Sequence, residues 1–430
     1  MSYDIPPELK HKEKIMFGLT FSQLAYAFPT FLIIFLTIIK SGLAIEISAS
    51  ISFFIISVTV FFMFFEGKEK FFNLFKHLRN QQLEVNSESL KKIIDIKEIK
   101  GNIIKTSSGN LTILEVSPIN FLIRTEEEKE SIITSFQKFL NSLDFPLQIH
   151  ISSTTINLDK HLVFVESKTS ELKELFNSYK EFINTTIQEN SIKNRKFYII
   201  LREKEKLEIQ SQVVKDKLES VGLKVKRLKE KELLSLFKEY VAQNKDKQLE
   251  ENQTIDNFAY FLASPQKIIF SHDHCKVDET FCKFIVVSGY PSSVELGFLD
   301  NIIRSSQNYD ISIHIEPFPI EYTMIQLNRE LQKQRADLYA DTKKNIYNPS
   351  LEIKHTSTKQ VLEDLQKGKQ KLFNVSLYIM CKGKTLEEAN LLTKKIKADL
   401  DGLMIQTKIP TFQMQSAYES MLPLGKNKLG

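Results

Sequence analysis

The sequence predicts a transmembrane α-helical hairpin followed by an α+β cytoplasmic region. Two runs without charge, Phe21 to Ile39 and Ile47 to Phe65, are each 19 residues long. At ~1.5 Å per residue each run crosses a hydrocarbon core of about 30 Å. Lysines flank the pair: Lys10, Lys12 and Lys14 precede it and Lys68, Lys70, Lys76 and Arg79 follow it, while the turn between holds only Lys40. By the positive-inside rule both ends then face the cytoplasm. From about residue 95 the apolar period switches repeatedly between strand and helix values, the mark of a mixed sheet-and-helix region.

A cleaved signal peptide does not fit the first run. It follows twenty residues of mixed charge, including Asp4, Glu8 and Glu13, and a second span comes at once. Ser48, Ser52 and Thr59 fall on one face of the second span, where small hydroxyl side chains allow close helix approach. They suit contact with the first helix or with another membrane protein.

In the cytoplasmic region Leu147, Ile149 and Ile151 alternate with polar residues, as do Ile311, Ile313 and Ile315, and Phe373, Val375, Leu377 and Ile379. Each reads as a half-buried strand. Phe197–Leu201 and Phe284–Val287 suit more deeply buried strands. Thr125 with Glu128 forms a capping box before Ile132, Phe136 and Phe139 at helical spacing. Leu172, Leu175, Phe176, Tyr179 and Phe182 mark a second helix, and Leu386, Ala389, Leu392 and Ile396 a third. Gln148-Ile149-His150-Ile151 echoes Ser312-Ile313-His314-Ile315, and two related ferredoxin-like halves would explain it. The expected organisation is a hairpin domain over 1–80 (spans about 21–39 and 47–65), a linker over 81–105, and α+β subdomains over 106–260 and 261–430. Charged stretches at Lys245–Glu251 and Lys343–Lys354 read as surface connections.

Composition excludes several function classes. The 42% hydrophobic and 26% charged residues can build a core and do not describe a disordered chain. The net charge of +5 is too small to indicate nucleic acid by itself. No two of the 13 glycines are separated by a single residue, so the dinucleotide fingerprint G-x-G-x-x-G is absent. The three cysteines include no C-x-x-C and are expected as free thiols.

Gly383-Lys384-Thr385 follows a strand and precedes a helix, as a phosphate loop does. That loop needs a glycine at position 378, which is Tyr378, and Thr385 with Glu388 is explained as a capping box. His272, His274, Cys275 and Cys282 match no familiar zinc spacing and read as a solvent-facing strand or turn. His150 and His314 fall on the polar faces of their strands and read as surface or satisfied histidines. Lys224, Lys226, Arg227 and Lys229 form a basic strand that suits a solvated edge better than a phosphate contact.

Two resemblances extend this reading. Tyr3-Asp4-Ile5-Pro6-Pro7, Lys14-Ile15 and Gly18-Leu19-Thr20-Phe21-Ser22-Gln23-Leu24 resemble the PrgI family, small two-span inner-membrane proteins of conjugation and type IV secretion machines, over about residues 1–85. Residues 95–430 are similar to the N-terminal, non-motor region of the conjugation ATPases of the TraC/TrbE/CagE class. The matching pieces are Leu114-Glu115-Val116-Ser117-Pro118, Phe136–Leu140 running into Asn141–Pro146, Gly289-Tyr290-Pro291, Ile313–Pro317, and Gln415-Ser416-Ala417-Tyr418 leading into Leu422–Asn427. The family's Walker motifs belong to a C-terminal motor domain that the sequence given does not include.

The resemblance implies an inner-membrane, multi-pass structural subunit with both termini cytoplasmic, which docks a hexameric P-loop ATPase and has no catalysis, cofactor or metal of its own. The alternative is the N-terminal half of a conjugation ATPase whose motor domain is missing from this chain. Expected partners are the lipid bilayer, the motor, other secretion-channel subunits and further copies of this chain; direct nucleic-acid binding is not expected. The family-motif and interface residues are Pro6, Gly18, Thr20, Gln23, Ser52, Thr59, Tyr290, Pro291, Leu422 and Pro423.

Overall fold

A computed structural model describes residues 2–4, 14–16, 19–40, 45–64, 93, 95–121, 123–155, 158–168, 173–189, 193–203, 206–241, 268–291 and 293–429. Two units make up the chain, Pro7–Gln81 on one hand and Met1–Pro6 with Gln82–Gly430 on the other. In the larger unit a short strand β1 (Ser2–Asp4) opens the chain.

The smaller unit begins with a ribbon of β2 (Lys14–Met16) and β3 (Leu19–Thr20). Helices α1 (Phe21–Lys40) and α2 (Ile45–Phe64) then pack against each other. Ser48 and Ser52 are buried between them, and the Ser52 hydroxyl donates to the Ser48 carbonyl at 2.8 Å. The Thr30 and Thr59 hydroxyls share a hydrogen bond of 3.0 Å across the pair. The small hydroxyl face of α2 therefore meets its own neighbour, while Phe28, Phe31, Phe53 and Phe54 point outward.

The expected membrane spans are corrected here. Among the described residues, no helix is long and apolar enough to cross a membrane. The transmembrane hairpin at 21–39 and 47–65 and the multi-pass inner-membrane location both give way to this finding; what stands is a pair of packed apolar helices.

In the larger unit the alternating patterns make one sheet of 12 strands. Its first half runs β4 (Ile96–Lys100), β5 (Ile103–Thr106), β6 (Gly109–Ser117), α3 (Glu126–Asn141), β7 (Leu147–Thr155), α4 (Asp159–Lys168), α5 (Lys173–Glu189), β8 (Lys193–Glu203), α6 (Leu207–Ser220), β9 (Lys224–Arg227) and α7 (Glu230–Val241). The second half repeats it: β10 (Ile268–Phe270), β11 (Cys275–Val277), β12 (Thr280–Gly289), then β13 (Ser293–Glu295) and α8 (Asp300–Arg304), β14 (Tyr309–Pro317), α9 (Ile320–Lys343), α10 (Pro349–Gln366), β15 (Phe373–Gly383), α11 (Leu386–Gly402), β16 (Gln406–Lys408) and α12 (Met414–Met421). Strand β4 and most of β5 thus lie in the segment read as a linker. Strand β13 leaves the main sheet and pairs with β1, Tyr3 opposite Val294.

The sheet order is β10-β11-β12-β15-β14-β7-β8-β6-β5-β4, with β16 added to β12 and β9 to β6. Each half is a βαββαβ unit of order β9-β6-β8-β7 or β16-β12-β15-β14, with a helical hairpin inserted at the same place. The halves meet at β7 and β14, where Ile149 faces Ile313, Gln148 faces His314 and His150 faces Ser312. The two echoing tetrapeptides therefore lie side by side at the join.

Both sheet faces are covered. On one, Phe139, Leu201 and Val214 pack beneath α3 and α6, and Ile311, Ile379, Ile396 and Leu400 beneath α11. On the other, Leu233 and Phe237 of α7 and Met414, Tyr418 and Met421 of α12 share a core with Ile113, Phe284 and Tyr378. The capping box of α3 is present, with Glu128 N–H donating to Thr125 Oγ1 at 3.3 Å and Thr125 N–H to Glu128 Oε2 at 3.1 Å.

Candidate functional site

The alternation in β7 and β14 puts isoleucines on one face and Gln148, His150, Asp310, Ser312 and His314 on the other. A polar face normally meets water. Here it does not: Gln148, His150, Asp310 and Ser312 are fully buried and His314 nearly so. The cover is α12 and the segment after it, whose Met421, Leu422 and Leu424 are buried in the same core. Pro423 is buried with them.

Gln148, Ser312 and His314 meet main chain of this segment. Gln148 Nε2 donates to the Leu422 carbonyl at 3.0 Å and to Ser312 Oγ at 2.8 Å, and its Oε1 accepts the Gly425 N–H at 2.7 Å. His314 Nε2 donates to the Ser420 carbonyl at 2.8 Å, which fixes the proton on that nitrogen because a carbonyl only accepts. Ser312 Oγ donates to the same carbonyl at 3.2 Å. Asn427 accepts from the Tyr378 hydroxyl at 2.6 Å and donates to Glu316 and Ser376 at 3.1 and 3.2 Å. Lys426 Nζ lies 3.0 Å from Asp95. Burial pushes the Asp95 carboxyl up, but hydrogen bonds from Ser107 and Lys426 outweigh it and hold it below its ordinary value. The segment after α12 thus crosses from second-half strands to Gln148, Ile200 and Arg202 of the first and straps the two together. Gly425 makes the turn with φ +61°, and a Cβ there would lie 3.2 Å from Arg202 Cβ.

The neighbouring charges are paired. Lys382 Nζ lies 2.5 Å from Asp310 Oδ2, and Ser153 N–H donates to Asp310 Oδ1 at 2.9 Å. Burial lowers His150 to a pKa of about 4, against the pull of Asp310 and with help from Lys382 and His314. Burial lowers His314 as well and raises the Tyr378 hydroxyl to about 12. A cavity of about 330 Å³ opens beside the strap between Pro146, Arg202, His314, Glu316 and Gly425.

The other sequence candidates separate from this site. Tyr290 packs against the core under α11 and donates to the Val375 carbonyl at 3.3 Å; Pro291 is half-buried between β12 and β13. Gln23, Ser52 and Thr59 belong to the helix pair and Thr20 to the ribbon before it. Pro6, Gly18, Leu172 and Lys245–Glu251 lie outside the described residues.

At Gly383-Lys384-Thr385 the turn's own groups close the loop. Glu388 N–H donates to Thr385 Oγ1 at 3.2 Å, Lys384 N–H donates to Glu388 Oε2 at 2.8 Å, and a Cβ on Gly383 would lie 2.6 Å from the Ala389 nitrogen. Among the described residues no three His, Cys, Asp or Glu side chains converge as metal ligands. Cys275 and Cys282 are buried cross-strand neighbours rather than solvent-facing. His274 instead meets Asp273 at 2.8 Å. Burial pushes Asp273 up, but hydrogen bonds from His274 and Lys283 hold it at about 2. In the basic strand β9, Lys226 pairs with Glu232, and Arg227 grips both oxygens of Glu208 at 2.6 and 2.8 Å. Two of the patch's four basic side chains are thus paired with carboxylates of α6 and α7.

Sequence reasoning placed His150 and His314 correctly on one strand face and missed that the face is covered. The available signal was the echo itself, since both copies put a polar-X-His pattern at the join.

Residues 97–274 match the family described as Archaeal TraC-like domain. The match runs from β4 to the turn before β11, and so takes in the first half of the sheet. It relates this region to the ATPases of conjugation systems, and it does not reach the segment resembling PrgI. No curated protein matches the chain.

Proposed function

We propose that this chain is the non-motor platform of a conjugation or type IV secretion machine, a structural subunit on which a separate hexameric P-loop ATPase docks beside other channel subunits. The TraC-like match over 97–274 carries the reading. Three features support it: a wide sheet covered on both faces, a strap that ties its two halves together, and a Gly383-Lys384-Thr385 turn whose Lys384 N–H is taken up by Glu388. Such a slab gives a motor a stiff base, and the buried seam resists shear between the halves. The second reading, favoured by the same match, is the N-terminal half of a conjugation ATPase whose motor lies in the same polypeptide.

An ATPase assay on the purified chain tests the platform reading. The expected result is no turnover above background, unchanged by Lys384→Ala. Turnover by the chain alone that disappears with Lys384→Ala would sink it.

A further inference from the structure

The helical hairpins inserted in the two halves are topologically equivalent but chemically different. Hairpin α4–α5 exposes Phe164, Leu175 and Phe182. Hairpin α9–α10 is held by a buried inner seam in which Gln334 Nε2 donates to Thr358 Oγ1 at 3.2 Å beside Leu327 and Leu362. Its tip is also fixed. Ile346 N–H donates to the Asp341 carbonyl at 2.9 Å, Asn348 Nδ2 donates to the Asp341 carboxylate at 3.3 Å, and Asn345 adopts φ +52°. This built tip holds Tyr339 and Tyr347 out in solvent, 65% and 77% exposed. Lys343, Lys344 and Lys354 lie on it, all exposed. Lys343 Nζ sits 4.9 Å from the centre of the Tyr339 ring. Among the described residues these three lysines form no ion pair, in contrast to Lys226 and Arg227 on β9. One lysine would suffice to complement the C-terminal dipole of α9; three exposed lysines on a tip that also carries two exposed tyrosines exceed that role.

We propose that the α9–α10 tip is a contact site for single-stranded nucleic acid. Tyr347 and Tyr339 supply flat rings for base stacking, and Lys343, Lys344 and Lys354 supply the charge that meets backbone phosphates. Stacking on either ring asks nothing of base identity, so the contact follows the strand and not its sequence. The inference stands on this hairpin alone, and its failure would leave the platform reading untouched.

The test is fluorescence anisotropy of the full chain with a labelled oligothymidylate of about 20 nucleotides, long enough to span both rings and the lysines. Low-salt binding is expected, with Tyr347→Ala weakening it about five- to a hundredfold at an unchanged salt slope. The pair Lys343→Glu and Lys344→Glu should flatten the log–log salt slope by about 1.4. Lys226→Glu should change nothing. Tyr347 is exposed, so loss of fold does not confound these variants. Absence of binding at low salt, or equal binding by the tip variants, overturns the proposal. So does loss on tip substitution of binding to phosphatidylserine vesicles with oligonucleotide binding intact, because a lipid surface takes the same lysines.

Discussion

His314 donates through Nε2 to the carbonyl of Ser420, 2.8 Å away across 106 residues of chain. That bond shows how the sheet is finished. A polar strand face that would otherwise need water is satisfied by the main chain of the protein's last described segment. Buried polar groups cost free energy unless paired, so the strap and the polar seam require each other.

Gln148 is the tightest point of that dependence, since it serves the Leu422 carbonyl and the Gly425 N–H together. Gln148→Leu keeps the volume and leaves both strap groups unpaired in the core. A loss of about 2–4 kcal/mol is expected from urea unfolding. A change within experimental error would mean that the strap is not held by the seam.

The buried histidines give the fold a pH dependence. Unfolded His150 takes up a proton near 6.5, whereas the folded residue resists until about 4. Between those values the unfolded chain binds more protons, so the stability His150 contributes is full above 6.5 and lost as pH falls through about 4. His314 shifts in the same direction, and Asp273, held at about 2, adds to the loss only in stronger acid. Urea midpoints should fall steadily over that window. In His150→Gln the fall should be shallower; an unchanged slope would remove His150 from the account.

Asp310 is buried 2.5 Å from Lys382. Lys382→Met leaves that carboxylate without its cation and should cost about 3–5 kcal/mol. Adding Asp310→Asn, which keeps an acceptor for the Ser153 N–H, should recover much of it in a double-mutant cycle. Additive losses would contradict a coupled pair.

Two glycines separate packing from backbone strain. Gly383→Ala would place a Cβ 2.6 Å from the Ala389 nitrogen and 2.9 Å from the Thr385 carbonyl oxygen, an overpacking worth about 1–3 kcal/mol. Gly101 has nothing within 4 Å but sits at φ +62°, so Gly101→Ala should cost about 1 kcal/mol from the left-handed backbone alone. Thermal unfolding of both variants checks the order.

Much of the sheet was legible because period-two alternation reports local backbone. Leu147, Ile149 and Ile151 announced β7, Ile311 to Ile315 announced β14, and Thr125 with Glu128 announced the start of α3. Alternation says which side chains share a face and nothing about what covers it. The burial of Gln148, His150, Ser312 and His314 depends on residues 420–427, far away in sequence, so it could not be read locally. Cys275 and Cys282 turned inward for the same reason, since a core packed over β11 and β12 decides their exposure. Hydropathy runs failed differently. They report apolar content, and among the described residues the packed pair α1 and α2 uses it without a helix that is long and apolar enough to cross a membrane.

The central claim is that this chain is a platform for a motor supplied by another polypeptide. Its most direct test is a pull-down of the native, C-terminally tagged chain, with mass spectrometry and an ATPase assay on the eluate. The account predicts co-recovery of a separate P-loop ATPase, with ATP turnover that tracks that partner and is lost when it is washed away. Recovery of the chain without any such ATPase, or turnover that stays with the chain after the partner is gone, would contradict it.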